Sequence, residues 1–226
     1  MQGLLLVDKP AGISSFGVVA KVRHTIKLAT GQKIKIGHSG TLDPAATGLL
    51  VLAIGATTKK LPQLIKHDKT YLVEMMLGHN SSTGDSEGII TKVNSKRPTE
   101  AAIQAILDSF TGVIEQMPPA YSAIKVNGVR AYKLARQGRP VVLTPRKVTI
   151  YQNRFIAYSY PIATFETTVS SGTYIRVLVG DIGKKLQTGA YTKSLRRLGI
   201  GEYQVSSALS LKGLTYAKIQ QSLTNY

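Results

Sequence analysis

A single acidic residue, Asp43, lies in a segment that glycines and a proline set apart from the rest of the chain, GHSGTLDPAATG at residues 37–48. The apolar run LLVLAI follows directly at residues 49–54 and predicts a buried strand. Glycine permits positive φ and close approach of a ligand, and the proline fixes the backbone after the acid. The segment therefore predicts a rigid loop that presents one carboxylate, as nucleophile or base, at the end of a strand. A turn-capping aspartate is the alternative that the segment alone leaves open.

The chain carries a large excess of positive charge, with 29 Lys and Arg against 12 Asp and Glu and a formal net charge of +17 over 226 residues. Basic residues are concentrated in acid-free stretches, since six lie between Asp8 and Asp43 and eight lie in residues 116–165. Such an excess opposes compaction and usually matches a polyanionic partner. Because the sequence shows no lysine-rich amphipathic helix with a broad apolar face, nucleic acid is favoured over an anionic membrane.

Composition excludes several kinds of site. The chain has no cysteine, so disulfides, thiolate zinc sites and thiol nucleophiles are absent. The four histidines stand singly, without metal-ligand spacing, and no metal or cofactor is expected. No stretch reaches the roughly 20 apolar residues of a membrane span, and the apolar run at residues 3–7 is too short for a signal peptide. We expect a globular, cytoplasmic protein.

Hydrophobic periodicity predicts strands and helices without strict βαβ alternation, and hence an α+β sheet domain. Ser14 or Ser15 and Thr99 are expected to cap helices. Residues 27–44 are expected to form a long functional loop, and residues 81–88 a polar turn. Strands are predicted at residues 3–7, 49–54, 71–77, 89–93, 148–155 and 163–170, and helices at about residues 14–26, 57–66, 99–110, 131–136, 175–186 and within 210–223.

Five segments occur in a recognisable order: DKPAGISS (8–15), GHSGTLDP (37–44), DKTY (68–71), PPAYSAIKVNG (118–128) and SGTYIR (171–176). Together they closely resemble the TruB family, the tRNA pseudouridine-55 synthases, from about residue 3 to residue 200. The resemblance implies the pseudouridine synthase fold, a mixed and mostly antiparallel sheet flanked by helices, with an inserted RNA-binding thumb at about residues 119–147. It also implies one catalytic domain over residues 1–226, and we expect no C-terminal PUA domain, which the usual bacterial members carry.

The resemblance further implies an isomerase that converts uridine to pseudouridine in the T-loop of tRNA. We expect it to act as a monomer, without cofactor or metal. Asp43 matches the catalytic aspartate, which attacks a nucleotide flipped out of the RNA loop. Substrate-binding positions of the family match His38, Tyr71, Asp85, Tyr174, Arg176 and Leu195. RNA-binding positions match Lys9, Lys59 and the thumb residues Lys125, Arg130, Lys133 and Arg136.

Three of these matches imply definite roles. His38 matches the residue that takes the place of the flipped base, Tyr71 matches the aromatic that packs on that base, and Arg176 matches the arginine that pairs with the nucleophile. An arginine at a helix start lies near the positive end of the helix dipole, which independently argues that Arg176 has a specific partner. Residue types alone leave simpler alternatives open: a solvated side chain for Lys9 and Lys59, a loop residue for His38, a turn residue for Asp85, and core packing for Tyr71, Tyr174 and Leu195.

Two other functions are compatible with the same basic stretches. The first is an RNA-binding folding helper that clamps the T-arm of tRNA, with modification secondary or lost. The second is a guide-RNA-dependent relative, in which partner proteins supply the RNA.

Overall fold

The computed structural model describes residues 1–122, 124–126 and 128–224, and the side chains of Lys125, Tyr132 and Arg136 lie outside this description. Its α-helices are α1 (Ser15–Thr30), α2 (Leu61–Lys66), α3 (Glu100–Ser109), α4 (Ala131–Arg136), α5 (Ile175–Lys185) and α6 (Tyr216–Gln221). Its strands are β1 (Gly3–Lys9), β2 (Ile36–His38), β3 (Thr47–Ile54), β4 (Lys69–Leu77), β5 (His79–Ser81), β6 (Ile90–Lys92), β7 (Gly112–Gln116), β8 (Lys125–Val126), β9 (Val129–Arg130), β10 (Arg146–Ser159), β11 (Ile162–Val169), β12 (Ala190–Ile200), β13 (Tyr203–Gln204), β14 (Leu209–Ser210) and β15 (Leu223–Thr224).

The chain forms two compact units. The first comprises Met1–Leu72 and Leu195–Tyr226, and the second comprises Val73–Ser194. The boundaries between the units fall within β4 and β12. The prediction of one catalytic domain stays a prediction.

In the first unit, β1 and β3 pair antiparallel over their whole length, from Gly3 opposite Ile54 to Lys9 opposite Gly48. β3 also pairs in parallel with β12, where Arg197 stands opposite Gly48. Gly48 has φ +100°, and a Cβ there would lie 2.2 Å from the main-chain oxygen of Arg197. Only glycine therefore lets β12 approach β3 at the second residue of that strand, five residues after Asp43.

Both faces of β1 and β3 are buried, which explains why these strands are continuously apolar rather than alternating. One face carries the side chains of Leu5 and Leu50 against α1, whose Val18, Val22 and Ile26 are buried at a spacing of four residues. The opposite face packs against α2 and the end of β12. Helix α1 begins at a cap provided by Ser14, whose Oγ accepts a hydrogen bond of 3.0 Å from the amide of Gly17.

In the second unit, β10 lies between β11 and β7 and pairs antiparallel with both. Helix α3 packs on β10 and begins at a cap provided by Thr99. The buried Asn153 of β10 donates from Nδ2 to the main-chain oxygen of Leu107 at 2.8 Å, close to the C-terminal end of α3. Helix α5 packs beside α3, and its inward face is formed by Ile175, Leu178, Val179 and Ile182.

The predicted α+β class is confirmed, as are the predicted strands and the larger helices. The prediction of a loop over residues 27–44 is wrong in two places. Helix α1 continues to Thr30 and ends at Gly31, which has φ +71°, and β2 occupies Ile36–His38. The predicted helix over residues 57–66 begins as a 3-10 helix at Gly55–Lys60 before α2. The sequence pattern did not predict β7 or β12.

No described helix combines the length and the hydropathy needed to cross a lipid bilayer.

Candidate active site

Asp43 lies in the connection between β2 and β3, in the first unit, and its side chain is half-buried. Main-chain hydrogen bonds fix both ends of this connection. The amide of Ser39 donates to the oxygen of Val51 at 3.0 Å, and the amide of Ala46 donates to the oxygen of Asp43 at 3.1 Å. The first unit therefore contains the predicted loop, and it lies directly before the buried strand β3. We call residues 39–46 the Asp43 loop.

Lys9 holds the loop on the C-terminal side of Asp43. It is fully buried, and its Nζ donates to the main-chain oxygens of Pro10 at 3.0 Å, Ile13 at 2.7 Å and Pro44 at 3.1 Å. Pro44 O also accepts from the amide of Gly12 at 2.9 Å. The solvated-lysine alternative for Lys9 is therefore wrong. A contact between Lys9 and RNA stays a prediction.

Ser15 fixes the residue immediately before Asp43. Its Oγ is buried, accepts from the amide of Leu42 at 2.8 Å and donates to the main-chain oxygen of Leu42 at 3.0 Å. Both polar main-chain groups of Leu42 are thus satisfied by one side chain from α1. The Leu42 side chain is itself buried, so this residue is fixed by its backbone and by its packing.

Two more buried cations lie at the N-terminal side of the loop. Arg197 is 1% exposed and donates from Nη2 to Gly40 O at 3.1 Å, and Lys69 is 7% exposed and donates from Nζ to the oxygens of Ile65 and His67. Burial, and then the positive charge of Arg197, lower the pKa of the Lys69 ammonium from 10.5 to about 8, against the opposing effect of Asp68. Asp43 is the single acid of a loop whose main chain is bound by two buried cations, Lys9 and Arg197.

The other predicted residues of the first unit have different degrees of exposure. His38 is half-buried at the end of β2, and its Nδ1 accepts from the amide of Gly40 at 3.3 Å. Tyr71 is 7% exposed on the inward face of β4, as its alternating pattern predicts. Leu195 is half-buried on β12, and Lys59 is exposed in the 3-10 helix before α2.

In the second unit, Arg176 and Asp85 form an ion pair whose side chains are only 11% and 12% exposed. Arg176 Nη1 lies 3.0 Å from Asp85 Oδ2, and it also donates to Thr83 O at 3.1 Å. The other carboxylate oxygen of Asp85 accepts from Thr83 Oγ1 at 2.5 Å and from the amide of Glu87 at 3.0 Å. Arg176 therefore has a specific acidic partner, Asp85, as its position at the start of a helix predicts. The predicted pairing of Arg176 with Asp43 stays a prediction.

The start of α5, which positions Arg176, is fixed by a buried amide. Gln116, at the end of β7, is 2% exposed; its Nε2 donates to Tyr174 O at 3.1 Å, and its Oε1 accepts from the amide of Tyr174 at 2.8 Å. Arg176 Nη2 donates to Tyr121 O at 3.0 Å, which ties α5 to the first residues of the predicted thumb.

The predicted thumb contains the two-stranded pair of β8 and β9 and helix α4. Arg130 and Lys133 are exposed there, as expected of residues that meet phosphates. The predictions for Lys125 and Arg136 concern side chains outside the described part. Among the described residues, no three His, Asp or Glu side chains are grouped as a metal site requires.

Several residues around the candidate site escaped sequence reasoning. Ser15, Lys69 and Arg197 hold or flank the Asp43 loop, and Gln116 holds the start of α5. Ser15 and Lys69 lie inside the segments DKPAGISS and DKTY, and Gln116 lies two residues before PPAYSAIKVNG, so proximity to the motifs was an available signal. For Arg197 the sequence held no such signal, because a charged residue is ordinarily expected at the surface.

Comparison with known proteins gives consistent results. Residues 26–175 match the profile of the family described as TruB family pseudouridylate synthase (N terminal domain). The chain is 41% identical over 215 residues to the tRNA pseudouridine synthase B of Syntrophotalea carbinolica, covering 95% of this chain and 69% of that protein. It is 41% identical over 225 residues to the protein of the same name from Clostridium acetobutylicum, covering 100% of this chain and 76% of that protein.

Among solved structures, the chain is similar to one from the "Crystal Structure of a Cbf5-Nop10-Gar1 Complex", with 29% identity and a TM-score of 0.71. It is also similar to one from the "Structure of H/ACA RNP bound to a substrate RNA containing 2'-deoxyuridine", with 26% identity and a TM-score of 0.68. Both matches cover 94% of this chain, but it spans only about half of those chains, 53% and 52%. The predicted fold is confirmed by these similarities.

Proposed function

The chain belongs to the TruB family of pseudouridylate synthases and is a tRNA pseudouridine synthase, and we propose that it acts on a T-loop uridine with Asp43 as the nucleophile. The observation that carries this proposal is the Asp43 loop. Its one carboxylate stands between main-chain anchors made by Ser15 and Lys9, so it is presented in a fixed position. A fixed nucleophile reduces the entropic barrier of attack on a bound nucleotide.

The reaction requires no oxidant and no group carrier. The bond between N1 of uracil and C1′ of ribose breaks, the base rotates, and a bond forms between C5 and C1′. The proton lost from C5 is balanced by the one gained at N1, so the product is an isomer of the substrate. Asp43 attacks the nucleotide either at the ribose or at the base, and both routes need a carboxylate held against a uridine that has left its stack.

We assign the remaining roles from the family match and the observed surroundings. Tyr71 packs on the flipped base, His38 occupies the place that the base has left, and Leu195 lines the pocket. Arg176 supports the nucleophile and is itself oriented by Asp85. Exposed basic residues bind phosphates of the T-arm, with Arg130 and Lys133 in the thumb and Lys59 in the 3-10 helix. The monomeric state and the cytoplasmic location also belong to this proposal.

The test combines an activity assay with a binding assay. Purified protein is incubated with an unmodified T-arm transcript, and pseudouridine is mapped on the RNA. The wild type is expected to modify the T-loop uridine, whereas Asp43→Asn, which keeps the size of the side chain, is expected to be inert with tRNA affinity retained. Modification at another site would contradict the T-loop assignment, and turnover by Asp43→Asn would contradict the nucleophile.

A tRNA-folding role is a second candidate, which the exposed basic residues favour. It predicts that Asp43→Asn protein speeds refolding of tRNA as well as the wild type does, since the basic surface is unchanged. Refolding at the uncatalysed rate with this variant would exclude that role.

A further inference from the structure

Arg197 is among the largest fully buried side chains of the protein, at 1% exposure on β12. Within the described part of the chain, its hydrogen bonds go to main-chain oxygens rather than to a carboxylate. Nε donates to Leu49 O at 2.7 Å, and Nη2 donates to Gly40 O at 3.1 Å. A buried arginine is ordinarily paired with an acid, because the desolvation of its charge is unfavourable. Arg197 therefore calls for an explanation other than stability.

The two carbonyls that Arg197 binds belong to two consecutive parts of the candidate site. Leu49 lies near the start of β3, in the core of the first unit, and Gly40 lies three residues before Asp43. The planar guanidinium thus joins the Asp43 loop to the strand that follows it. Its fixed fork allows two bonds in one plane, which a lysine ammonium at the same place cannot reproduce.

Two glycines of the segment at residues 37–48 lie next to Arg197, one near its side chain and one against its main chain. Gly40 has φ +145°, and a Cβ on it would lie 3.7 Å from Arg197 Nη1. Gly48 allows β12 to approach so closely that its Cβ position lies 2.2 Å from Arg197 O. Gly48 therefore lets the main chain of Arg197 approach β3, and from this position its guanidinium reaches Leu49 O and Gly40 O.

We infer that Arg197 is a positioning residue for Asp43, holding the N-terminal half of the Asp43 loop through Gly40 O. Lys9 holds the loop through Pro44 O and Ser15 holds it through Leu42, so Arg197 completes the set of anchors on the other side of the loop. The inference rests on the proposed role of Asp43 as nucleophile. A displacement of about 1 Å at a reacting group is enough to lower a rate about 100-fold.

The test compares Arg197→Met and Arg197→Lys with the wild type in single-turnover reactions under excess enzyme. The rate constant, the Kd for tRNA and the Tm are measured for each protein. We expect Arg197→Met to lower the rate constant about 100-fold with the Kd for tRNA within about threefold of the wild type. Arg197→Lys is expected to recover part of the rate, because it restores one of the two carbonyl contacts.

Two controls separate positioning from stability and from charge. Ile219→Ala creates a cavity in the core of the first unit without touching the Asp43 loop, so it lowers the Tm and leaves the rate constant unchanged. Arg196→Gln removes a guanidinium from the neighbouring residue, which pairs with Asp8, and it also leaves the rate constant unchanged. These two variants show what loss of packing or of one positive charge does by itself.

A wild-type rate constant in Arg197→Met, measured below its Tm, would overturn the inference, and so would a loss of rate matched by an equal loss of tRNA affinity. If Arg197→Met does not fold, Arg197→Lys decides, and a full rate in that variant overturns the inference. Asp43→Asn is assayed beside them. Turnover by Asp43→Asn would contradict the proposal that Asp43 is the nucleophile. If Asp43→Asn is inert but Arg197→Met keeps the wild-type rate constant, only the positioning role of Arg197 is contradicted.

Discussion

The lowered pKa of Lys69 makes a quantitative prediction about stability in alkaline solution. Lys69 is 7% exposed, donates to the main-chain oxygens of Ile65 and His67, and lies near Arg197. Its pKa is about 8 in the folded protein and 10.5 in the unfolded chain. Between these values the unfolded state binds one more proton than the folded state, so the free energy of unfolding rises with pH.

The size of this effect follows from the two pKa values. Each unit of difference corresponds to about 1.4 kcal/mol, so 10.5 against about 8 gives a gain of about 3 kcal/mol that is complete above about pH 10.5. The gain is lost progressively as the pH falls from about 10.5 to about 8, and below about 8 Lys69 is charged in both states. From pH 7 to pH 10 the contribution of Lys69 amounts to about 2–3 kcal/mol.

The assay is urea unfolding of the wild type and of Lys69→Met at several pH values from 7 to 10. The tyrosines and the other lysines titrate in both proteins, so the difference between the two stability curves isolates Lys69. Over this range we expect the free energy of unfolding of the wild type to rise by about 2–3 kcal/mol more than that of the variant. Parallel curves would refute the reasoning. In a second arm, Arg197→Gln removes the neighbouring cation and should move the rise of the curve to higher pH.

Three further predictions concern the second unit. Asp85→Asn removes the charge of the carboxylate that Arg176 binds at 3.0 Å and should lower the free energy of unfolding by about 1.5–3 kcal/mol, the range for a hydrogen bond to a charged group, measured in urea. Gln116→Leu removes both hydrogen bonds to Tyr174, the residue before α5. Because Tyr174 O still accepts from the amides of Val177 and Leu178, the main loss is the acceptor of the Tyr174 amide, which should cost about 1–3 kcal/mol, with turnover reduced more than tRNA affinity. Arg130→Ala combined with Lys133→Ala should weaken RNA binding and reduce the slope of log K against log salt by about 1.5.

Each of these predictions has a definite contrary outcome. An unchanged urea midpoint in the Asp85 variant would show that the ion pair does not stabilise the fold. Equal losses of turnover and affinity in the Gln116 variant would make that residue a general structural one. An unaltered salt slope in the double variant would show that the thumb is not part of the RNA interface. The matched control is Arg154→Ala, which removes an exposed arginine of β10 that pairs with Glu166 of β11.

Much of the local structure could be predicted because it depends on short-range patterns. The spacing of Val18, Val22 and Ile26 fixes the buried face of α1, and the alternation through Tyr71 fixes β4. β12 could not be predicted in this way, since Lys193, Arg196 and Arg197 interrupt its apolar pattern. A strand that carries charges is recognisable only when the neighbours that accept them are known.

By itself, the sequence determined the family, the single acid of the Asp43 loop and the order of the segments that surround it, because glycine, proline and apolar spacing act over a few residues. Only the tertiary structure decided that Lys9 and Arg197 are buried and which carbonyls they bind. It likewise decided that Arg176 meets Asp85, 91 residues away in the chain. The physical reason is desolvation: a charged side chain is buried only where distant parts of the chain provide its hydrogen-bond partners. The local sequence pattern does not show which distant residues come together in this way.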